Sequence, residues 1–226
     1  MKEKRCVMSE KIYAVLTGDI VQSRRLTAGQ SKALQQRLKS AASEFDRKFF
    51  GTLAGGLGIT RGDGWQVALQ KPEQALRLAL YLRAVVKSEF GTDTRVSIGT
   101  GSVDRLEPEN IIESTGPAFE RSGHGLEMMR KGGRLAIDLD DASDRRDELI
   151  VRLLDCVVSR WTGKAAIALA GVLLNQTQEQ IAENSPISER SGKKPTRQAI
   201  GDALIRASWP EVQACIEFFD HLLSQA

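Results

Sequence analysis

The chain has 226 residues, 41% of them hydrophobic and 27% charged, with a net charge of +3. This composition suits a globular chain with one good core, or one medium domain plus a small one, and no apolar run approaches the roughly 20 residues that a membrane-spanning helix needs. The three cysteines (Cys6, Cys156, Cys215) lie far apart and the only histidines are His124 and His221, which argues against a structural zinc site or a Ser-His-Asp triad and points to the reducing cytoplasm.

The basic start Met1-Lys2-Glu3-Lys4-Arg5 leads into no apolar stretch of secretory length, and Met8 opens a more compact start. Residues 12–21 read as a buried strand, a short apolar run without helical period. It carries Gly18-Asp19 near its C-terminal end. Thr27 with Gln30 resembles a capping box, and Leu34, Leu38, Ala41, Ala42 and Phe45 give one apolar face to a helix running to about residue 49. A hairpin follows, with Leu57 to Ile59 leading in and Val67 to Leu69 leading out of the turn Thr60-Arg61-Gly62-Asp63-Gly64-Trp65. Pro72 is placed like a first-turn proline for a strongly apolar helix ending near Gly91. Residues 95–103 form a fourth strand. The polar excursion 104–115 holds a short helical turn at 109–113, and Gly99 and Gly101 ease close backbone packing. A third helix spans 116–130 and a fifth strand 134–139.

The order strand, helix, strand, strand, helix, strand is the split βαβ pattern, in which the first and third strands are neighbours and two helices cover one face. The expected fold class is therefore α+β: a ferredoxin-like palm over residues 8–140, then a small all-α domain over 147–226. The Asp- and Arg-rich stretch 140–147 is the expected boundary. Helices are expected at 149–160, 164–174, 177–183, 196–207 and 210–223. Residues 1–140 carry 22 basic and 17 acidic groups, and 141–226 carry 10 and 12, so the C-terminal part is slightly acidic.

Two carboxylates at the ends of neighbouring strands, Asp19 and Asp63, are candidates for a shared divalent cation, Mg2+ or Mn2+. Arg24 and Arg25 follow the first of them as candidate phosphate contacts. Trp65 and Trp209 read as packing residues, and His124 as a surface or half-buried one.

Over residues 11–139 the chain resembles the class III nucleotidyl cyclases and the GGDEF-type palm of diguanylate cyclases. The resemblance lies in Gly18-Asp19-Ile20-Val21, in Gly62-Asp63-Gly64, and in Val96-Ser97-Ile98-Gly99-Thr100-Gly101 followed by Gly116-Pro117-Ala118-Phe119. It implies that Asp19 and Asp63 ligate metal and that a purine nucleotide meets Ile20, Val21, Ser23, Arg24, Arg25 and Arg61. It also implies a homodimer, since cyclase-like domains often form their sites across one. The positions matching the cyclase Asn and Arg are Glu120 and His124, and Ile59 stands where many purine cyclases have a base-contacting lysine. Residues 174–183 and 196–204 resemble a bacterial helix-turn-helix, which implies DNA contact by Lys193, Lys194, Thr196, Arg197 and Gln198. With Thr17-Gly18-Asp19-Ile20-Val21-Gln22-Ser23-Arg24 and the C-terminal helices, the whole chain most resembles the SatD family. The expected function is a regulator coupling a nucleotide and Mg2+ to a DNA-binding domain; the alternative is an active metal-dependent cyclase or nucleotidyltransferase on a purine NTP.

Overall fold

The computed structural model describes residues 11–60, 62–139, 145–187 and 192–225. Among them a mixed α/β fold contains one five-stranded sheet and eight α-helices. The strands are β1 (Tyr13–Ile20), β2 (Gly58–Ile59), β3 (Gly64–Leu69), β4 (Thr94–Gly101) and β5 (Leu135–Asp138). The helices are α1 (Ala28–Lys48), α2 (Ala75–Phe90), α3 (Pro117–Glu127), α4 (Arg145–Ser159), α5 (Gly163–Leu173), α6 (Gln178–Asn184), α7 (Arg197–Arg206) and α8 (Trp209–Ser224).

The sheet order is β2-β3-β1-β4-β5. β1 runs antiparallel to β3 and β4, and β5 is parallel to β4. The first half of β1, Tyr13 to Leu16, reads as an unbroken apolar run because both faces of the strand are covered there. Ala14, Leu16 and Ile20 join the core that includes Leu34, Leu38 and Phe45 of α1. Val15 turns the other way, to Ala68, Ile111, Ala118 and Phe119. The Thr27 capping box forms as its spacing predicts, with Oγ1 accepting from Gln30 N at 3.2 Å and Gln30 Oε1 accepting from Thr27 N at 2.9 Å.

α3 lies against β4 with no room to spare: a Cβ on Gly99 would come 2.4 Å from Ser122 N and 2.6 Å from Ala118 O. The excursion before it contains a 3-10 turn, Ile111–Glu113, within the stretch expected to be helical. The hairpin is less even than its apolar runs suggest. β2 holds two residues, while β3 starts at Gly64, because Thr60 N donates to Gly64 O at 2.9 Å and closes the turn directly onto that strand.

α2 is buried on nearly every side: Leu76, Leu78, Leu80, Leu82 and Val86 are all closed to solvent. α5 packs along it, and α8 meets its start. One apolar cluster accordingly joins strand residues such as Leu16 and Ile98 to Leu169, Leu204, Ile216 and Phe219 of the later helices. Trp65 is wholly buried, and Trp209 is half-buried where it opens α8. The expected boundary falls partly on residues 140–144, which lie outside the described residues; α4 begins at Arg145.

Within this core Arg83 of α2 is a fully buried cation. Its Nε and Nη2 donate to the two oxygens of Asp93 at 3.1 and 2.9 Å, and its Nη1 donates to Asp155 Oδ1 of α4 at 2.9 Å. Lys87 and Arg134 also reach Asp93, at 3.2 and 3.0 Å. A charge removed from water at this depth is tolerable only when paired and hydrogen-bonded on this scale.

Candidate functional site

The sheet places Asp19 at the C-terminal end of β1, with its Cα opposite Gly64 on one side and Arg95 on the other. Gly18 precedes it because the indole of Trp65 occupies the space a side chain would need: a Cβ there would lie 2.4 Å from two ring carbons and 2.5 Å from Arg95 O. That indole is itself fixed. Trp65 Nε1 donates to Thr94 Oγ1 at 2.9 Å, and Thr94 Oγ1 donates to Asp19 O at 2.7 Å.

The Asp19 carboxylate receives both arms of the Arg95 guanidinium, Nε to Oδ1 at 2.8 Å and Nη2 to Oδ2. The pair is partly open to water, 37% exposed at Arg95 and 23% at Asp19. The hydrogen bond to Asp19, reinforced by the fields of Asp19 and Asp63, holds the guanidinium above its ordinary range.

Asp63 comes to the same place from the turn before β3. Gly62 supplies a φ of +83°, and its carbonyl accepts from Gln35 Nε2 of α1 at 3.0 Å, which ties the turn to the helix layer. A Cβ on Gly64 would collide with Thr60 Oγ1 at 2.1 Å. The glycines on either side of Asp63 therefore have separate causes, one torsional and one steric.

After Asp19 the chain turns through Gln22, left-handed at φ 56°, into a 3-10 turn at Ser23–Arg25. Val21 anchors the turn: its N donates to Asp93 O at 2.9 Å, and its O accepts from Thr92 Oγ1 at 2.7 Å. Asp19, Ile20, Val21, Gln22, Ser23, Arg24, Arg25, Asp63 and Arg95 together line one open depression of about 510 Å³. Ile20 directs its side chain into the core and offers only its backbone.

All the described residues expected to bind metal or nucleotide thus share one surface; Arg61 lies outside the described residues. Arg95 is the residue that the sequence reading missed. Its signal is a cation at the start of an otherwise apolar strand, and its role appears only once the antiparallel β1/β4 register is known. Glu120 and His124 are exposed on α3; neither lines the depression, and His124 borders a separate cavity against β5 and α4.

Among the described residues no three His, Cys, Asp or Glu side chains gather as a ready cation cage. Two carboxylates beside a basic loop still fit a hard cation that takes further oxygens from phosphate, which is how Mg2+ is commonly held. As a donor set, Asp19 and Asp63 are compatible with that ion, provided Asp19 gives up at least one arm of Arg95.

The other expected residues surround the start of α7. Thr196 caps it, Oγ1 accepting from Ala199 N at 3.2 Å. Arg197 Nε meets Glu179 Oε1 of α6 at 2.7 Å, and Lys194 Nζ donates to Glu183 O. Lys193, Lys194, Arg197 and Gln198 are exposed. The link from α6 to α7 runs from Ser185 to Thr196, and its residues 188–191 lie outside the described residues.

No helix among the described residues is long and apolar enough to cross a membrane. No curated protein matches the chain. The model of the SatD family matches residues 13–198, which takes in the whole sheet, the depression at Asp19 and Asp63, and the helices as far as the start of α7; the chain belongs to the SatD family.

Proposed function

We propose that the depression at Asp19 and Asp63 binds a purine nucleotide together with Mg2+ or Mn2+, and that the protein is a cytoplasmic regulator rather than a catalyst. The observation that carries this reading is the convergence of two carboxylates, two loop arginines and Arg95 on one open surface. Asp19 and Asp63 would hold the cation, which would neutralise phosphate charge; Arg24, Arg25 and Arg95 would pair with phosphate oxygens. Strand order and direction support a ferredoxin-like, cyclase-related palm as the frame. Sensing is favoured over cyclisation because Glu120 and His124 stand at the positions where cyclases carry Asn and Arg. A transition state there would lack donors worth several kcal/mol, roughly 3 for one such group.

The output would be DNA binding through α6 and α7, with Lys193, Lys194, Thr196, Arg197 and Gln198 at the nucleic acid. α5 provides a physical connection, since it packs on α2 and on α7. A homodimer is part of the reading.

Calorimetric titration with ATP and GTP tests the site. Saturable binding that needs Mg2+, disappears with excess EDTA and weakens at least tenfold in Asp63→Ala supports it. Nucleotide binding indifferent to both EDTA and Asp63→Ala, or no binding, refutes it. Pyrophosphate release from an NTP would favour the enzyme instead.

A further inference from the structure

A further cavity, of about 350 Å³, lies far along the chain from the Asp19 depression, between residues 157–165 and 203–208. Its wall is apolar and made of small or planar groups: Trp161, Ala165, Ala203 and Ala207. Trp161 is held in place, Nε1 donating to Ala207 O at 3.2 Å. Around this wall stand three cations, Arg160, Lys164 and Arg206, with the hydroxyls of Thr162 and Ser208, and among the described residues no carboxylate lines the cavity.

Among the described residues none of these three side chains makes an ion pair or hydrogen bond. This is unusual for its setting, since residues 141–226 carry 12 acidic groups against 10 basic ones. Helix electrostatics account for two of the three. Arg160 directly follows α4 and Arg206 ends α7, and each complements a negative helix end. Lys164 has no such excuse: it occupies the first turn of α5, which carries no acidic residue, so its charge adds to the positive end of that helix and to Arg160 and Arg206. Ser208, at the rim, holds a left-handed φ of 55° although it is not glycine, and strain of this kind in a non-glycine residue gathers at ligand sites.

We infer that this cavity binds a small phosphate-bearing molecule, its apolar part against Trp161 and the alanines and its phosphate between Arg160, Lys164 and Arg206. An anion would give the three cations a counter-charge that none of them has among the described residues, and the apolar wall suits an apolar body. The site is independent of the nucleotide reading above.

The test uses the full chain and two probes, inorganic phosphate and phenyl phosphate, with the Trp161 indole N–H resonance as readout, identified by its loss in Trp161→Phe. Saturable shifts are expected with both probes, and about tenfold tighter binding of phenyl phosphate. Arg160→Gln/Arg206→Gln should weaken binding by at least tenfold while leaving the melting curve within a few degrees of wild type. Lys164→Glu should abolish it. Shifts that never saturate, that equal those with chloride at matched ionic strength, or that survive Lys164→Glu would overturn the proposal. So would a response to duplex DNA with none to phenyl phosphate, which would assign these cations to a nucleic-acid backbone.

Discussion

Arg95 grips both oxygens of Asp19, the same carboxylate that a cation in the depression would need. The two ligands of the proposed site therefore make opposite demands on this arginine. Replacing it by glutamine should tighten binding of Mn2+ alone, because Asp19 is released, and weaken the Mg2+-nucleotide by at least tenfold, because a phosphate partner is lost. Paramagnetic relaxation for the ion and calorimetry for the nucleotide measure the two effects separately. A change of the same sign in both would show that Arg95 only supports the fold.

Gly18→Ala tests how Asp19 is positioned. The new methyl would meet Trp65 and the Arg95 carbonyl at about 2.4 to 2.5 Å, and β1 is hydrogen-bonded on both sides, so it has little room to move. A loss of about 2–4 kcal/mol in urea unfolding is expected, at the upper end of overpacking costs. Wild-type stability would mean that the indole can turn away.

The Arg83 cluster sets the response to acid. Burial alone would raise the Asp93 carboxyl, but the Arg83 charge and hydrogen bond, followed by Lys87, outweigh it and hold it below its usual value near 3.8. A depressed carboxyl contributes stability that is fully present above its unfolded value and lost as pH falls through the folded one. Stability attributable to Asp93 should therefore be constant above about pH 5 and decline below about pH 4. Arg83→Met should cost about 3–5 kcal/mol at pH 7 by taking the Arg83 charge from Asp155 and leaving Asp93 with Lys87 and Arg134 alone, and should flatten this acid limb. Thermal melts from pH 3 to 7 distinguish the two proteins.

Asp220 of α8 behaves in the opposite sense. Burial pushes its carboxyl up to about 6, with Glu73 and Glu217 adding to the rise and Arg77 opposing it. A raised carboxyl favours the protonated form in the folded protein, so its contribution is intact below about pH 4 and is lost as pH climbs through 6. Asp220→Asn should gain about 1–2 kcal/mol over wild type at pH 8 and little at pH 4, a modest figure because the side chain remains 24% exposed and keeps Arg77 at 3.8 Å. A gain that is the same at both pH values would remove the titration from the explanation.

If α7 docks on DNA, Lys194→Ala and Arg197→Ala should each lower the slope of log affinity against log salt by about one. Arg197 must leave Glu179 to do so, so Glu179→Gln should strengthen binding. Fluorescence anisotropy on promoter fragments at several salt concentrations reads both effects.

Much of the site was legible in the chain because its cues are local. Gly18-Asp19 and Gly62-Asp63-Gly64 mark strand ends and a turn within a few residues, and Thr27 announces α1 by a spacing of three. Arg95 was not legible, because its meaning depends on a partner 76 residues away and on which strands pair. Arg83 carries half a signal: a cation among Leu80, Leu82, Ala84 and Val85 must have a buried counter-charge. Asp93 is ten residues on, but Asp155 is 72 residues away and no local pattern points to it. The packing of α5 on α2 was hidden for a related reason, since an evenly apolar helix does not reveal which neighbour takes which face.

The burial of α2 also bears on synthesis. While the chain emerges, the strands and α1 can cover one side of this helix and Asp93 can pair with Arg83, but Leu169 and Asp155 are not yet available to cover the other side or to complete the Arg83 cluster. The sheet half must wait for α4 and α5 with an apolar surface on display. Nascent chains stalled near residue 140 should therefore recruit chaperones, and release from them should coincide with the emergence of α5.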